Sequence, residues 1–180
     1  MHIFVSDISE QLKSGASASH LVRLLLDFAC KKVWNMPCPA IAKTSAGKPY
    51  FPDYPDLHFS LSHSKTKVLV ALSDHDIGAD IEDTRPIPDA LPNRLFTAEE
   101  QTQFDFFEAW TLREAVFKLK NEDWLMDMRL SKQDGEIVTP YPNVRCCSFF
   151  DLPDSTISVA CENGSFPSKI EIISPTAFLP

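Results

Sequence analysis

Hydrophobic positions change their period along the chain, and each change marks an element. Met1 to Val5 is an apolar run of strand length. From Ala18 to Trp34, Leu21, Leu24, Leu25, Phe28 and Ala29 recur at helical spacing, which predicts an amphipathic helix. Pro37 and Pro39 end it, since proline lacks a backbone donor and disfavours helix in the residue before it. The polar stretch through Ala46, Gly47, Lys48 and Pro49 to Pro52 and Pro55 reads as loop. His58 to Ser64 and Lys67 to Ser73 then alternate or run apolar around a Ser64-Lys65-Thr66 turn, which predicts a hairpin. Ile77 to Glu82 predicts a third strand.

Beyond the proline-rich link from Arg85 to Pro92, Thr97 and Glu100 have the spacing of a capping box, so a helix is expected to start near Ala98. A longer helix is expected from Phe104 to about Leu119. Short strands are expected at Met128 to Leu130, Ile137-Val138, Arg145 to Phe150, Ile157 to Cys161 and Lys169 to Ile173, with a turn at Asp134-Gly135. Hairpins beside long helices, without strict β-α-β alternation, predict the α+β class: antiparallel sheets covered by helices.

Composition narrows the function. The 180 residues are 44% hydrophobic, enough for a real core. The formal net charge of -8 argues against nucleic-acid and anionic-membrane partners, so an anionic ligand must meet a local basic patch. No stretch approaches the ~20 apolar residues of a membrane span, and the first residues lack the basic region of a signal peptide. A cytoplasmic location is expected. The five cysteines are odd in number and have no C-x-x-C spacing, which points to neither a disulfide framework nor a zinc site.

Strand periodicity puts Asp80 and Glu82 on one face of the third strand and Ala79 and Ile81 on the other. Two carboxylates projecting together suit a hard cation such as Mg2+, although D-x-E alone is more often a strand end with two solvated acids. On the long helix, Trp110, Glu114 and Lys118 fall at i, i+4 and i+8. Glu114 would supply a third oxygen, and Lys118 would hold a phosphate oxygen by a charge-assisted hydrogen bond. In Phe59-Ser60-Leu61-Ser62-His63-Ser64, hydroxyls and an imidazole gather at one strand end, the donors a phosphate monoester needs. Lys48, kept extended by Pro49, can point its ammonium to the same place. Each fragment in isolation is more often an ordinary surface feature.

Together and in order, G-K-P, F-x-L-S-H-S, G-x-D-I-E and F-x-x-W-T-x-R-E-A-x-x-K resemble the Sfp-type 4'-phosphopantetheinyl transferases from about Gly47 through Lys118. The resemblance implies a fold of two pseudo-symmetric halves, each an antiparallel sheet packed with a helix, divided here as residues 1–74 and 75–180. It implies transfer of the 4'-phosphopantetheine arm of coenzyme A to a serine of an apo acyl or peptidyl carrier protein, with 3',5'-ADP leaving. Asp80, Glu82 and Glu114 would bind Mg2+; Lys48, Ser62 and His63 would contact the 3'-phosphate end of coenzyme A, and Lys118 its pyrophosphate. Glu114 is metal ligand, general base or both. A two-half architecture in one chain permits a working monomer.

Three features depart from the family pattern. The stretch before Gly47 is short and lacks the usual arginines, leaving His20 or Arg23 as substitutes on the adenine side. Ser60 stands where asparagine is usual, and Arg113 where lysine is usual. Arg113, Lys118 and Lys120 together are expected to form a basic helix segment facing a carrier. A homologue that binds coenzyme A or a carrier without transfer is the alternative, followed by a metal-dependent phosphohydrolase.

Overall fold

The computed structural model describes residues 1–121 and 125–179. It has the expected α+β class, and its arrangement follows from which face of each strand is apolar. Strand β1 (His2–Asp7), helix α1 (Ser9–Lys13) and helix α2 (Ala18–Trp34) open the chain. The short strands β2 (Ala42–Lys43) and β3 (Pro49–Tyr50) precede β4 (His58–His63), β5 (Lys67–Ser73) and β6 (Ile77–Asp83). Helices α3 (Ala90–Leu95), α4 (Ala98–Gln103) and α5 (Phe106–Lys120) follow. Strands β7 (Ser131–Gln133), β8 (Glu136–Val138), β9 (Val144–Phe149), β10 (Ser155–Glu162) and β11 (Glu171–Ile172) complete it.

One sheet has the order β11-β1-β5-β4 and a second the order β6-β10-β9. Period-two alternation sends Phe4, Val68, Val70 and Leu72 toward α2, where Leu21, Leu25, Leu26 and Ala29 meet them. The opposite faces, with Ile3, Val5, Leu69 and Ala71, pack on Ile77, Ala79, Ile81, Ile157 and Val159 of the second sheet. Ala160 and Val144 face outward against Leu112, Ala115, Val116 and Leu119 of α5. The layers therefore run helix, sheet, sheet, helix, and β5, covered on both faces, is buried at every position. The chain from Ile77 onward builds the second sheet, and β11 then returns to pair in parallel with β1.

Several expectations meet their elements closely: α2 spans the predicted Ala18–Trp34, and the hairpin of β4 and β5 pairs His58 with Ser73 and His63 with Val68. The capping box at Thr97 and Glu100 opens α4. Other expectations are corrected. The long helix starts at Phe106, because the side chain of Asp105 accepts from the Glu108 amide and sets the first turn there. Met128 to Leu130 is not a strand: the Leu130 amide donates to Glu100 Oε1 rather than to a neighbouring strand, and pairing begins at Ser131. The proline-rich link contains α3, with Pro92 in its first turn, where a missing amide goes unmissed. The predicted loop around Gly47 carries the small β2–β3 pairing, and its turn needs the positive φ of Gly47 (91°).

Candidate active site

The site lies where β4 of the first sheet, β6 of the second and α5 converge. Gly78 governs that approach. A Cβ there would lie 1.9 Å from the Ala115 carbonyl oxygen and 2.6 Å from the Leu119 amide, so only glycine lets α5 lie directly on β6. The acidic face of β6 is thereby brought against the polar side of the helix. On the other edge of β6, the Ala79 amide donates to Ser60 Oγ at 2.9 Å, so a β4 hydroxyl takes the place of a ladder carbonyl. Ser60, the departure from asparagine, thus ties the edges of the two sheets together.

Asp80 is nearly fully buried, and its Oδ1 accepts from Ser62 Oγ (2.6 Å) and Lys118 Nζ (2.7 Å). Lys118 also donates to Ser62 Oγ (3.0 Å) and the Ala79 carbonyl (3.2 Å). Ser62, Asp80 and Lys118 form one closed unit spanning β4, β6 and α5. Glu82, next along the same face, accepts from Arg85 Nη1 at 2.8 Å. Glu114 sits one helical turn before Lys118. Burial pushes its carboxyl above the ordinary range, the like charges of Asp80 and Glu82 add to the rise, and Lys118 opposes it. The charges of Asp80 and Glu82 thus act on Glu114 across the β6–α5 contact. Among the described residues, no group of three His, Cys, Asp or Glu side chains is arranged to hold a metal ion as it stands.

Lys48 is placed by the β2–β3 turn. Its Nζ donates to Asp76 Oδ1 (2.5 Å) and to the Leu119 carbonyl (2.8 Å), and Asn121, the left-handed cap of α5, donates to Thr44 of the same turn. Lys48 and Lys118 line one cavity of about 210 Å3 with Pro49, Phe59, Leu61 and Phe117. His63 stands exposed at the end of β4, outside that cavity's lining. Ser62 is committed to Asp80 and Lys118 rather than pointing freely with His63.

Two side chains that sequence reasoning left aside matter here. Arg85 pairs with Glu82 from three residues away, just beyond the end of β6. Asp83 gathers Ser64, Thr66, Lys67 and Ser155 on its Oδ1, so the turn after His63 is fastened to the end of β6.

The expected basic segment of α5 is corrected. Arg113 is completely buried, paired with Glu100 Oε1 at 2.7 Å, bonded to the Leu95 carbonyl and stacked 4.5 Å over Phe96. Lys120 is bonded to Glu162 and lies over Tyr141. Neither is a free surface cation. Phe104 and Phe107 are core, while Phe106, Phe107 and Trp110 line a groove of about 460 Å3 that reaches Glu82 and Arg85. No helix among the described residues is long and apolar enough to cross a membrane.

The chain is 29% identical over 148 residues to the 4'-phosphopantetheinyl transferase Sfp of Bacillus subtilis (strain 168), covering 71% of this chain and 65% of that protein. It is 29% identical over 152 residues to the 4'-phosphopantetheinyl transferase ffp of Bacillus subtilis, covering 74% and 67%. With the 4'-phosphopantetheinyl transferase AcpT of Escherichia coli (strain K12) it shares 35% identity over 95 residues, covering 46% and 49%. The chain thus spans about two thirds or less of the length of these relatives. The family profile described as 4'-phosphopantetheinyl transferase superfamily matches residues 76–173, the stretch that holds Asp80, Glu82, Glu114 and Lys118, and the chain belongs to that superfamily.

Proposed function

We propose that this chain transfers the 4'-phosphopantetheine arm of coenzyme A to a serine hydroxyl of an apo acyl or peptidyl carrier protein, as a holo-acyl-carrier-protein synthase. The observation that carries the reading is the Ser62–Asp80–Lys118 unit beside Glu82 and Glu114: acids and a phosphate-binding cation meet at the junction of the two sheets. The donor set is right for Mg2+, being all carboxylate oxygen. Both bonds to Asp80 fall on Oδ1, and Glu114 lies close enough to two other carboxylates to be raised by them. Asp80, Glu82 and Glu114 would hold the cation, which when bound neutralises pyrophosphate charge and eases departure of 3',5'-ADP.

The remaining roles belong to the chain's own groups. Lys118 and Lys48, on one cavity wall, would bind the phosphates of coenzyme A by charge-assisted hydrogen bonds, Lys118 at the pyrophosphate and Lys48 at the 3'-phosphate end, whereas His63, at the far end of β4 from Lys48, would reach a phosphate only from outside that cavity. Ser62 would join them by exchanging its bond to Asp80 for one to phosphate. Glu114, with its raised affinity for a proton, is suited to accept the proton of the attacking serine. Raised basicity also lets it serve as ligand once the proton is displaced. The proposal has the chain acting as a cytoplasmic monomer, without a nucleic-acid or membrane partner.

Intact mass spectrometry of several apo carrier proteins incubated with this chain, coenzyme A and magnesium tests it. The expected result is a gain of one phosphopantetheine, lost with EDTA and in Asp80→Ala and Glu82→Ala. No gain with any carrier, by folded protein that binds coenzyme A, would replace transfer with binding alone.

A further inference from the structure

Two acids of the site are neutralised by cations of the chain itself, and the two pairs differ in character. Lys118–Asp80 is an interior pair, its acid buried and its ammonium held by Ser62 and the Ala79 carbonyl as well. Arg85–Glu82 is a rim pair, with side chains 40% and 25% exposed. Arg85 Nη1 donates to both Glu82 Oε2 (2.8 Å) and the Asp83 carbonyl (3.0 Å), and its guanidinium lies 5.3 Å over the Phe107 ring at the edge of the apolar groove. The guanidinium thus has two contacts that do not depend on Glu82.

We propose that Arg85 is a built-in competitor for the divalent cation at Glu82, holding that carboxylate oriented and neutral until a metal ion displaces it. The inference rests on the reading of Glu82 as a metal ligand. Displacement is within easy reach, because ion pairs this exposed shift an equilibrium by no more than about fivefold. After displacement the guanidinium keeps the Asp83 carbonyl and the Phe107 face, so it need not return to bulk water. Arg85 is a positioning residue, acting through Glu82. It limits metal affinity and holds the acid in place until the ion arrives.

The test is magnesium binding by isothermal titration calorimetry on the full chain, without coenzyme A or carrier, so that no turnover enters the readout. Arg85→Ala is expected to bind magnesium about two- to fivefold more tightly than wild type. Arg94→Ala, which removes an exposed arginine on α3, is the control for net charge and is expected to match wild type. In a Glu82→Gln background, removing Arg85 is expected to change nothing, because the residue acts through that carboxylate. Magnesium binding that is unchanged or weaker in Arg85→Ala, or a gain that persists with Glu82→Gln, overturns the competitor role while leaving Glu82 as a ligand. Absence of magnesium binding by folded wild type overturns the ligand reading itself, and this inference with it.

Discussion

Gly78 and Ala115 touch backbone to backbone: a side-chain carbon on Gly78 would lie 1.9 Å from the Ala115 carbonyl oxygen. The nearest atoms that such a carbon would meet, on Ala115 and Leu119, all belong to the helix main chain, which has no rotamer to change. Gly78→Ala must therefore push α5 off β6. Overpacking of this kind costs about 3 kcal/mol, roughly 6–12 °C of Tm for a chain of this size. Lys118 and Glu114 move with α5, so thermal denaturation should show the loss and calorimetry should show weakened magnesium binding by whatever remains folded. A Tm within a degree of wild type would disprove the close approach.

Glu114 opposes the stability of the metal-free fold at neutral pH. Its folded carboxyl binds a proton more tightly than the unfolded one, because of burial and then the charges of Asp80 and Glu82. Well below the ordinary carboxylate range both states are protonated and no penalty exists. As pH rises from there through the raised folded value, the folded state must ionise an unfavourably placed acid, and stability is lost. Glu114→Gln should consequently raise the Tm in EDTA at neutral pH, with the gain shrinking toward zero in acid, while transfer activity falls. A gain independent of pH would show that ionisation is not its origin.

Glu100 and Arg113 form a buried pair whose halves should fail separately. Removing either partner leaves an uncompensated charge inside the protein, at a cost of about 3–5 kcal/mol. Urea denaturation of Glu100→Leu and Arg113→Met should show that loss, and the double variant should recover much of it. Arg113→Lys, which keeps the charge but cannot reproduce the planar contacts with Leu95 and Phe96, should lose about 1–3 kcal/mol. The buried placement predicts little change in KM for coenzyme A, in contrast to Lys118→Ala.

Much of the fold was legible because its signals are local. Prolines just beyond the end of a helical stripe, a serine-rich turn between apolar runs and a capping box each act over a few residues, and α2, the β4–β5 hairpin and α4 appear where those signals stand. Short elements were missed where the signal was weak or concealed, as with α3 inside a proline-rich link. Arg113 shows the converse error. A charged residue beside Glu114 reads as solvent-facing, yet it points the other way around the helix to Glu100, thirteen positions earlier.

The sequence by itself determined which elements form, which residues share a face and which side chains bring chemistry: Asp80 with Glu82 by strand period, Glu114 with Lys118 by helix period. Tertiary structure alone decided the partners. That Lys118 meets Asp80 across 38 positions depends on how closely α5 lies on β6, that Ser62 completes the unit depends on β4 meeting β6, and Arg85 takes Glu82 where the chain leaves β6. Periodicity is a property of neighbouring residues, whereas an ion pair in a folded chain is fixed by the packing of whole layers, here by the space that Gly78 leaves open.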